Sequence, residues 1–381
     1  MIRVAVNPDM LNWALDRARR SVDDLEPRFP QLPRWLAGED RPTLKQLEAF
    51  AAATHTPFGS FFLPRPPAER VPIPDFRTIR DQAVRKPSPD LLDTIYICQQ
   101  RQEWYREYVR LTGERPFPLV GSVKPTDDVV SVAARMRDAL AFDLEERRQM
   151  PTWTDALRRF IEQTENLGIL VMVNGVVGSN NRRKLDPAEF RGFALCDDLA
   201  PLVFVNGADT KAGQMFTLAH ELAHLWLGES ALTDVELRSA PTNAVEKWCN
   251  RVAAELLVPL ADFRREYDPE AALRDEMSRL ARRFKVSTLV VLRRVHDAGG
   301  LSRDRFWREY DAELQRLTDM PRSGGGDFYL TTAARVSRRF ARAVVTSTWE
   351  GRASFTEAFH LLGFKKMSTF RELGQSLGVT E

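Results

Sequence analysis

The chain has 381 residues, of which 43% are apolar and 28% charged, and a net charge of +2. That length exceeds one ordinary core and points to two or three domains, and the balance is that of a soluble globular protein. No run approaches the roughly 18 uncharged apolar residues of a membrane helix, residues 1–7 lack the apolar run of a secretory signal, and so small a net charge does not by itself argue for nucleic acid. Cys98, Cys196 and Cys249 lie far apart without paired spacing, which speaks against a disulfide framework or a cysteine zinc site and fits a reducing, cytoplasmic setting.

Residues 1–63 read as short helices with tight turns. Asn7-Pro8 has the form of a helix start, with Asn as cap and Pro at the first helical position. Ser21 opens a second helix. Thr43-Leu44-Lys45-Gln46 opens another with a capping box, and Leu44, Leu47, Phe50 and Ala51 fall on one face. Phe58–Leu63 is aromatic and is expected to pack on this bundle, and Pro64–Pro74 reads as a proline-rich linker. Amphipathic helices over 88–112 and 127–149 follow, separated by a break with two prolines at Glu114–Pro118.

The pattern changes over 152–260. A helix is expected over Trp153–Asn166, and strands over Ile169–Val173, Gly192–Leu195 and Leu202–Val205. A long helix follows, capped by Asp209 or Thr210 and ended near Gly228, then another from Asn243 to near Pro259. A few strands beside many helices make an α+β fold. Residues 269–298 are helical again, with Asp268-Pro269 as a start signal and Ser287 as a cap; Arg322–Gly326 is a flexible linker, and 327–381 holds small helices. Arginines cluster at 17, 19 and 20 and at 335, 338, 339 and 342; such faces can hold phosphates, but a solvated face is the commoner outcome.

The chemistry lies in Phe216–Trp226, which places His220-Glu221-Leu222-Ala223-His224 inside an apolar helical frame. Residues four apart share a helix face, so the two imidazoles can aim at one point, where they suit Zn²⁺. Glu221, beside the first ligand, can act as base toward an attacking water. Two buried histidines around an idle glutamate would be the bland alternative, a costly one for a charged group. A third ligand is required, and Glu246 on the next helix is the first choice. Val245, Trp248, Val252 and Leu256 form that helix's core stripe, while Glu246 and Asn250 share another face, so Asn250 could support the ligands from behind. Asn243 and Glu246 also fit a capping box, and Glu255 on the same helix is a rival ligand.

These residues resemble the ImmA/IrrE family of zinc metallopeptidases. The likeness is closest over Phe193–Pro259, in the strand Pro201–Gly207, the helix Met215–His224 and the stretch Glu246-Lys247-Trp248-Cys249-Asn250-Arg251-Val252-Ala253-Ala254-Glu255-Leu256-Leu257-Val258-Pro259. The resemblance implies a zincin-like domain with a small β-sheet over 151–265, flanked by mainly α-helical N-terminal and C-terminal regions. It implies His220, His224 and Glu246 as ligands of Zn²⁺ and Glu221 as catalytic base. It also implies a narrow substrate, a transcriptional repressor or antitoxin-like protein whose cleavage releases a stress or mobile-element response. An edge of the strand around Val203 is expected to pair with substrate backbone.

The N-terminal residues 1–70 are similar to an Xre-type helix-turn-helix bundle, carried by Trp35–Pro42 and the helix from Thr43, with 71–150 as a helical connector. Pro30 and Pro33 fall where a recognition helix would lie, so DNA reading by Gln31 and Arg34 competes with protein contact as the role of this bundle. Leu280–Thr288 also looks like a helix-turn-helix, within a helical segment 266–320. Arg293 and Arg294 could touch phosphate there, but Leu289, Val291 and Leu292 are apolar enough to favour packing against the catalytic domain. The likeness runs more weakly through Gly326–Tyr329 into a C-terminal helical segment, 321–381. The alternative to a peptidase is a DNA-binding regulator or antitoxin whose zinc domain senses or only folds; an intact Glu221 favours the enzyme. The His2Glu set suits zinc without excluding manganese.

Overall fold

The computed structural model describes residues 3–74, 87–233, 244–319 and 333–379. Two compact units are present, one holding the N-terminal residues through Pro72, the other holding Ile73, Pro74 and the chain from Ile97 onward. In the first unit, α1 (Pro8–Ala18) starts as expected: the Asn7 side chain accepts from the Asp9 N–H, and the helix ends at Arg19 in the left-handed region, φ 51°. Both α2 (Val22–Leu25) and α4 (Leu44–Ala53) carry complete capping boxes, Ser21 with Asp24 and Thr43 with Gln46. Between them, α3 (Leu32–Leu36) has only five residues, with Pro33 in its first turn. The two prolines thus leave a single short turn where a recognition helix would lie. Met10, Leu11, Leu32, Trp35, Leu47, Phe50 and Phe61 close the core, with Phe61 supplied by a 3-10 turn over Phe58–Phe62. Leu44 does not join that face as expected; it starts α4 and is 45% exposed.

The long helix α5 (Pro89–Thr112) belongs to the second unit from Ile97 on. The single helix expected over 127–149 is two, α6 (Val129–Leu140) and α7 (Leu144–Gln149), because Ala141 turns into the left-handed region, φ 48°. Next come α8 (Trp153–Asn166), β1 (Leu170–Asn174), a short hairpin of β2 (Val176–Val177) and β3 (Asn180–Lys184), β4 (Gly192–Leu195), β5 (Leu202–Asn206), α9 (Lys211–Leu227) and β6 (Ala231–Thr233). The hairpin and β6 carry no strong sequence signal: β3 is the polar run Asn-Asn-Arg-Arg-Lys, and β6 has three residues.

Sheet order is β1-β5-β4-β6. β5 runs parallel to β1 and antiparallel to β4, so Val203 pairs with Val171 on one side and Ala194 on the other. This corrects the expectation of an open edge at Val203. β5 is central because its five residues are all buried, and a strand apolar on both faces belongs inside a sheet.

After the sheet the chain continues through α10 (Ala244–Leu257), α11 (Leu260–Glu266), α12 (Leu273–Phe284), α13 (Thr288–Asp297) and α14 (Arg303–Asp319). α12 starts later than Asp268-Pro269 suggested, while Ser287 caps α13 by accepting from the Val290 N–H. One continuous core runs from Val123 to Tyr310 and takes in Leu289, Val291 and Leu292. The apolar face of α13 therefore packs inward. Three last helices, Arg338–Trp349, Phe355–Leu362 and Met367–Ser376, end the chain. Arg101 of α5 donates to the Leu361 carbonyl (3.0 Å), and the buried Glu165 of α8 accepts from the Ser337 hydroxyl, at a residue with φ 72° that caps the first of these helices. The linker at 322–326, residues 326–329 and Asn243 lie outside the described residues. Among the described residues no helix is long and apolar enough to cross a membrane.

Candidate metal centre

The site begins with α9. Its N-terminus is fixed by Thr210, whose side chain accepts from the Gly213 N–H (3.0 Å). Its C-terminus is fixed by Gly228 at φ 76°, where a β-carbon would lie 3.0 Å from the Gly121 Cα, so both backbone angle and close approach require glycine. The passing segment 121–123 satisfies the last carbonyls: the Gly121 and Val123 N–H groups donate to Leu225 and Trp226. Every residue from Gln214 to Trp226 is buried, as expected for a helix apolar on all sides. His220, Glu221 and His224 are thereby carried into the interior, each fully buried.

α10 packs along α9 and brings Glu246 to the same point. Trp248 orients it, its indole N–H donating to the Asp127 carbonyl (3.1 Å). The Nε2 atoms of His220 and His224 lie 3.1 Å apart, and the Glu246 carboxylate reaches them at 3.2 and 3.0 Å. Three donors around a tetrahedral ion with bonds near 2.05 Å would stand about 3.3 Å apart, so this triangle is of the right size and composition for a divalent cation. Two features bear on the fit. Two ring nitrogens facing at 3.1 Å cannot both carry protons. The Nδ1 of His220 and the Oε1 of Glu246 are buried without a partner in hydrogen-bond geometry, despite the closeness of Glu246 to His224. Among the described residues, this trio is the one cluster with metal-ligand spacing.

The electrostatics agree. Burial works to raise the Glu246 carboxyl, but the charge and hydrogen bonds of the two imidazoles outweigh it and hold it at about 2. Burial works to lower His220, but the Glu246 charge and hydrogen bond leave it raised, whereas burial keeps His224 lowered. The site is thus an anion beside imidazoles ready to exchange a proton for a cation. Asn250 lies against His220 and favours its charged form, although neither its Oδ1 nor the His220 Nδ1 reaches hydrogen-bond geometry. Burial pushes the Cys196 thiol up to about 12 and the Cys249 thiol well above its ordinary range, so neither offers a thiolate.

Glu255 is committed elsewhere. Its carboxylate accepts from the Leu260 N–H at the start of α11 and from the Arg294 guanidinium (2.8 Å) of α13. Of the two candidate carboxylates, Glu246 faces the histidines, and Glu255 ties α10 to α11 and α13. Gly192 was not foreseen. It sits in β4 where a β-carbon would come within 2.5 Å of Thr217 Cγ2, 2.8 Å of the Phe204 carbonyl oxygen and 3.2 Å of Glu221 Oε1. A glycine inside a strand is the usual mark of such close approach.

Residues 164–296 match a family model described as the IrrE N-terminal-like domain, Peptidase_M78. Residues 336–376 match a model described as a domain of unknown function, DUF8813. No match was found among curated proteins. The first match and the donor triangle together support a metallopeptidase-type function, and hence hydrolase chemistry, for the middle of the chain. The fold is α+β as expected, with this domain between helical regions.

Proposed function

We propose that the chain is a zinc-dependent endopeptidase in which His220, His224 and Glu246 hold the metal and Glu221 is the catalytic base. The observation that carries this reading is the meeting of two imidazoles and an anionic carboxylate from two helices, with a second buried carboxylate one residue from the first ligand. A zinc ion held there would polarise a peptide carbonyl and make a water acidic enough to attack near neutral pH. The chain's own part is then to move protons and exclude solvent. Glu221 takes a proton from the attacking water as the C–O bond forms and then delivers it to the amine nitrogen, so that the C–N bond breaks with a neutral amine leaving. The glycine at position 192 leaves room for that carboxylate, since a β-carbon there would come within 3.2 Å of Glu221 Oε1, and α9 supplies a buried wall.

The substrate in this reading is a protein, specifically a transcriptional repressor or antitoxin-like protein cleaved in the cytoplasm. The support is the likeness to ImmA/IrrE peptidases and the presence of a small N-terminal helical bundle able to recruit a partner. With α3 reduced to five residues, that bundle is better suited to protein contact than to base reading. Elemental analysis of the full chain beside His224→Ala and Glu246→Ala tests the site: about one zinc per chain, lost or weakened in both variants, is the expected result, while a wild type that takes up no metal even after reconstitution refutes it. Glu221→Gln should keep its zinc and lose hydrolysis.

A further inference from the structure

We propose that the last two helices, Phe355–Leu362 and Met367–Ser376, form a helix-turn-helix that binds duplex DNA, with the β2–β3 hairpin beside it as a second phosphate-binding arm. This site lies outside the peptidase reading and does not depend on it. Both helices fall within residues 336–376, the part of the chain that matches a domain of unknown function. Helices of eight and ten residues are joined by four residues, 363–366, the length and glycine content of a helix-turn-helix turn. Gly363 stands at φ 75°, and the Phe364 N–H donates back to the Phe359 carbonyl (2.9 Å), so the cap of the first helix sets the turn. Phe370 of the second helix is fully buried. Its ring lies 5.6 Å from Phe355 and 5.8 Å from Phe359 of the first helix, and 5.4 Å from Trp349.

The second helix presents a polar face. Phe370, Leu373 and Gly374 point inward, while Ser368, Arg371 and Gln375 are exposed. Such side chains hydrogen-bond to base edges in a major groove. The helix exposes no large apolar side chain, whereas a protein interface needs apolar anchors at its centre. Its one carboxylate, Glu372, is outnumbered by nearby cations. Lys365 and Lys366 of the turn are exposed. A β-carbon on Gly363 would lie 3.3 Å from Ser179 Oγ and 3.4 Å from Ser179 Cβ, so this turn rests against the turn between β2 and β3. β3 then adds Arg182 and Lys184, both exposed, and two residues apart on a strand places them on one face about 7 Å apart. Among the described residues none of these four cations holds an ion pair, whereas Arg106 pairs with Asp197 and Arg339 with Glu114. Cations converging on an exposed polar helix are suited to neutralising phosphates on either side of a groove. The other two helix-turn-helix-like segments offer no such helix: α3 has five residues, and α13 turns its apolar face into the core.

The test is fluorescence anisotropy of a labelled mixed-sequence duplex titrated with the full chain over a series of salt concentrations. Lys365→Ala with Lys366→Ala, and Arg182→Ala with Lys184→Ala, should each weaken binding about tenfold at low salt. Each pair should also lower the slope of log K against log salt by about 1.8, two phosphate contacts at about 0.9 each. Ser368→Glu, which sets a negative charge on the reading face, should weaken binding about tenfold as well. All these positions are exposed, so urea midpoints should stay at the wild-type value, and the charge-matched control Arg303→Ala with Arg308→Ala should bind like the wild type. Glu221→Gln should also bind like the wild type, which keeps this result separate from hydrolysis. A wild type that binds no duplex, or turn and hairpin variants no weaker than the control, would overturn the proposal. So would loss of binding in Gln31→Ala with Arg34→Ala alone, which would place DNA on the N-terminal bundle. Poly-glutamate held as tightly as duplex of equal charge would instead assign the surface to an acidic protein.

Discussion

Replacing Gly192 with alanine probes how the proposed base is seated. The added methyl would lie 2.5 Å from Thr217 Cγ2, 2.8 Å from the Phe204 carbonyl oxygen and 3.2 Å from Glu221 Oε1. Ordinary contact begins at 3.4 Å, so the Thr217 methyl must retreat by 0.9 Å. The Phe204 oxygen cannot give way, because β5 is paired on both sides. The adjustment therefore falls on α9, where Thr217 and Glu221 are four residues apart on one face. Overpacking of this kind costs about 1–3 kcal/mol, and a displacement approaching 1 Å at a reacting group costs about 100-fold in rate. Urea denaturation should show that loss of stability, and turnover of a cleaved substrate should show kcat falling with KM within a few-fold. Thr217→Ser deletes the opposing methyl, so the double variant should recover at least half of both losses. A Gly192→Ala protein with wild-type stability and kcat, or a double variant no better than the single one, would refute the account of the seat.

Other expectations follow from the same contacts. Burial raises the Glu165 carboxyl to about 7 against the hydrogen bond from Ser337, so its contribution is fully present below 4.5, its ordinary value, and is lost as pH rises from there through 7. At about 1.4 kcal/mol per pH unit that loss is up to roughly 3 kcal/mol. Urea midpoints at pH 5 and 8 should differ accordingly in the wild type and much less in Glu165→Gln; equal pH dependence in the two proteins would sink the idea. Glu255→Gln leaves the buried Arg294 without its inter-helix partner and should cost about 3 kcal/mol in urea denaturation, with metal content unchanged. Because Glu246 raises His220, proton and cation compete for that imidazole, and a chelator competition should show weaker metal binding at pH 6 than at pH 8.

Local rules carried much of this protein. Asn7, Ser21, Thr43 and Ser287 each cap the helix their position announced, and of Asp209 and Thr210 it is Thr210 that caps α9, because a short polar side chain meeting free N–H groups acts within a few residues. The spacing of His220 and His224 fixed a shared helix face for the same reason, since 3.6 residues per turn is a local property. The choice between Glu246 and Glu255 was not local. Both sit on α10, and only the packing of α9 on one side and of α11 and α13 on another gave the first to the imidazoles and the second to Leu260 and Arg294. Strand order was likewise beyond the sequence: five apolar residues make β5 a strand, but the pairing of β1 and β4 along both its edges, and the arrival of Pro74 at β6, join residues up to about 160 positions apart. Gly192 sums up the division. Its lack of a side chain is written in the sequence, while the reason for it, the Thr217 methyl and the Glu221 carboxylate pressed against the strand, exists only once the sheet lies on the helix.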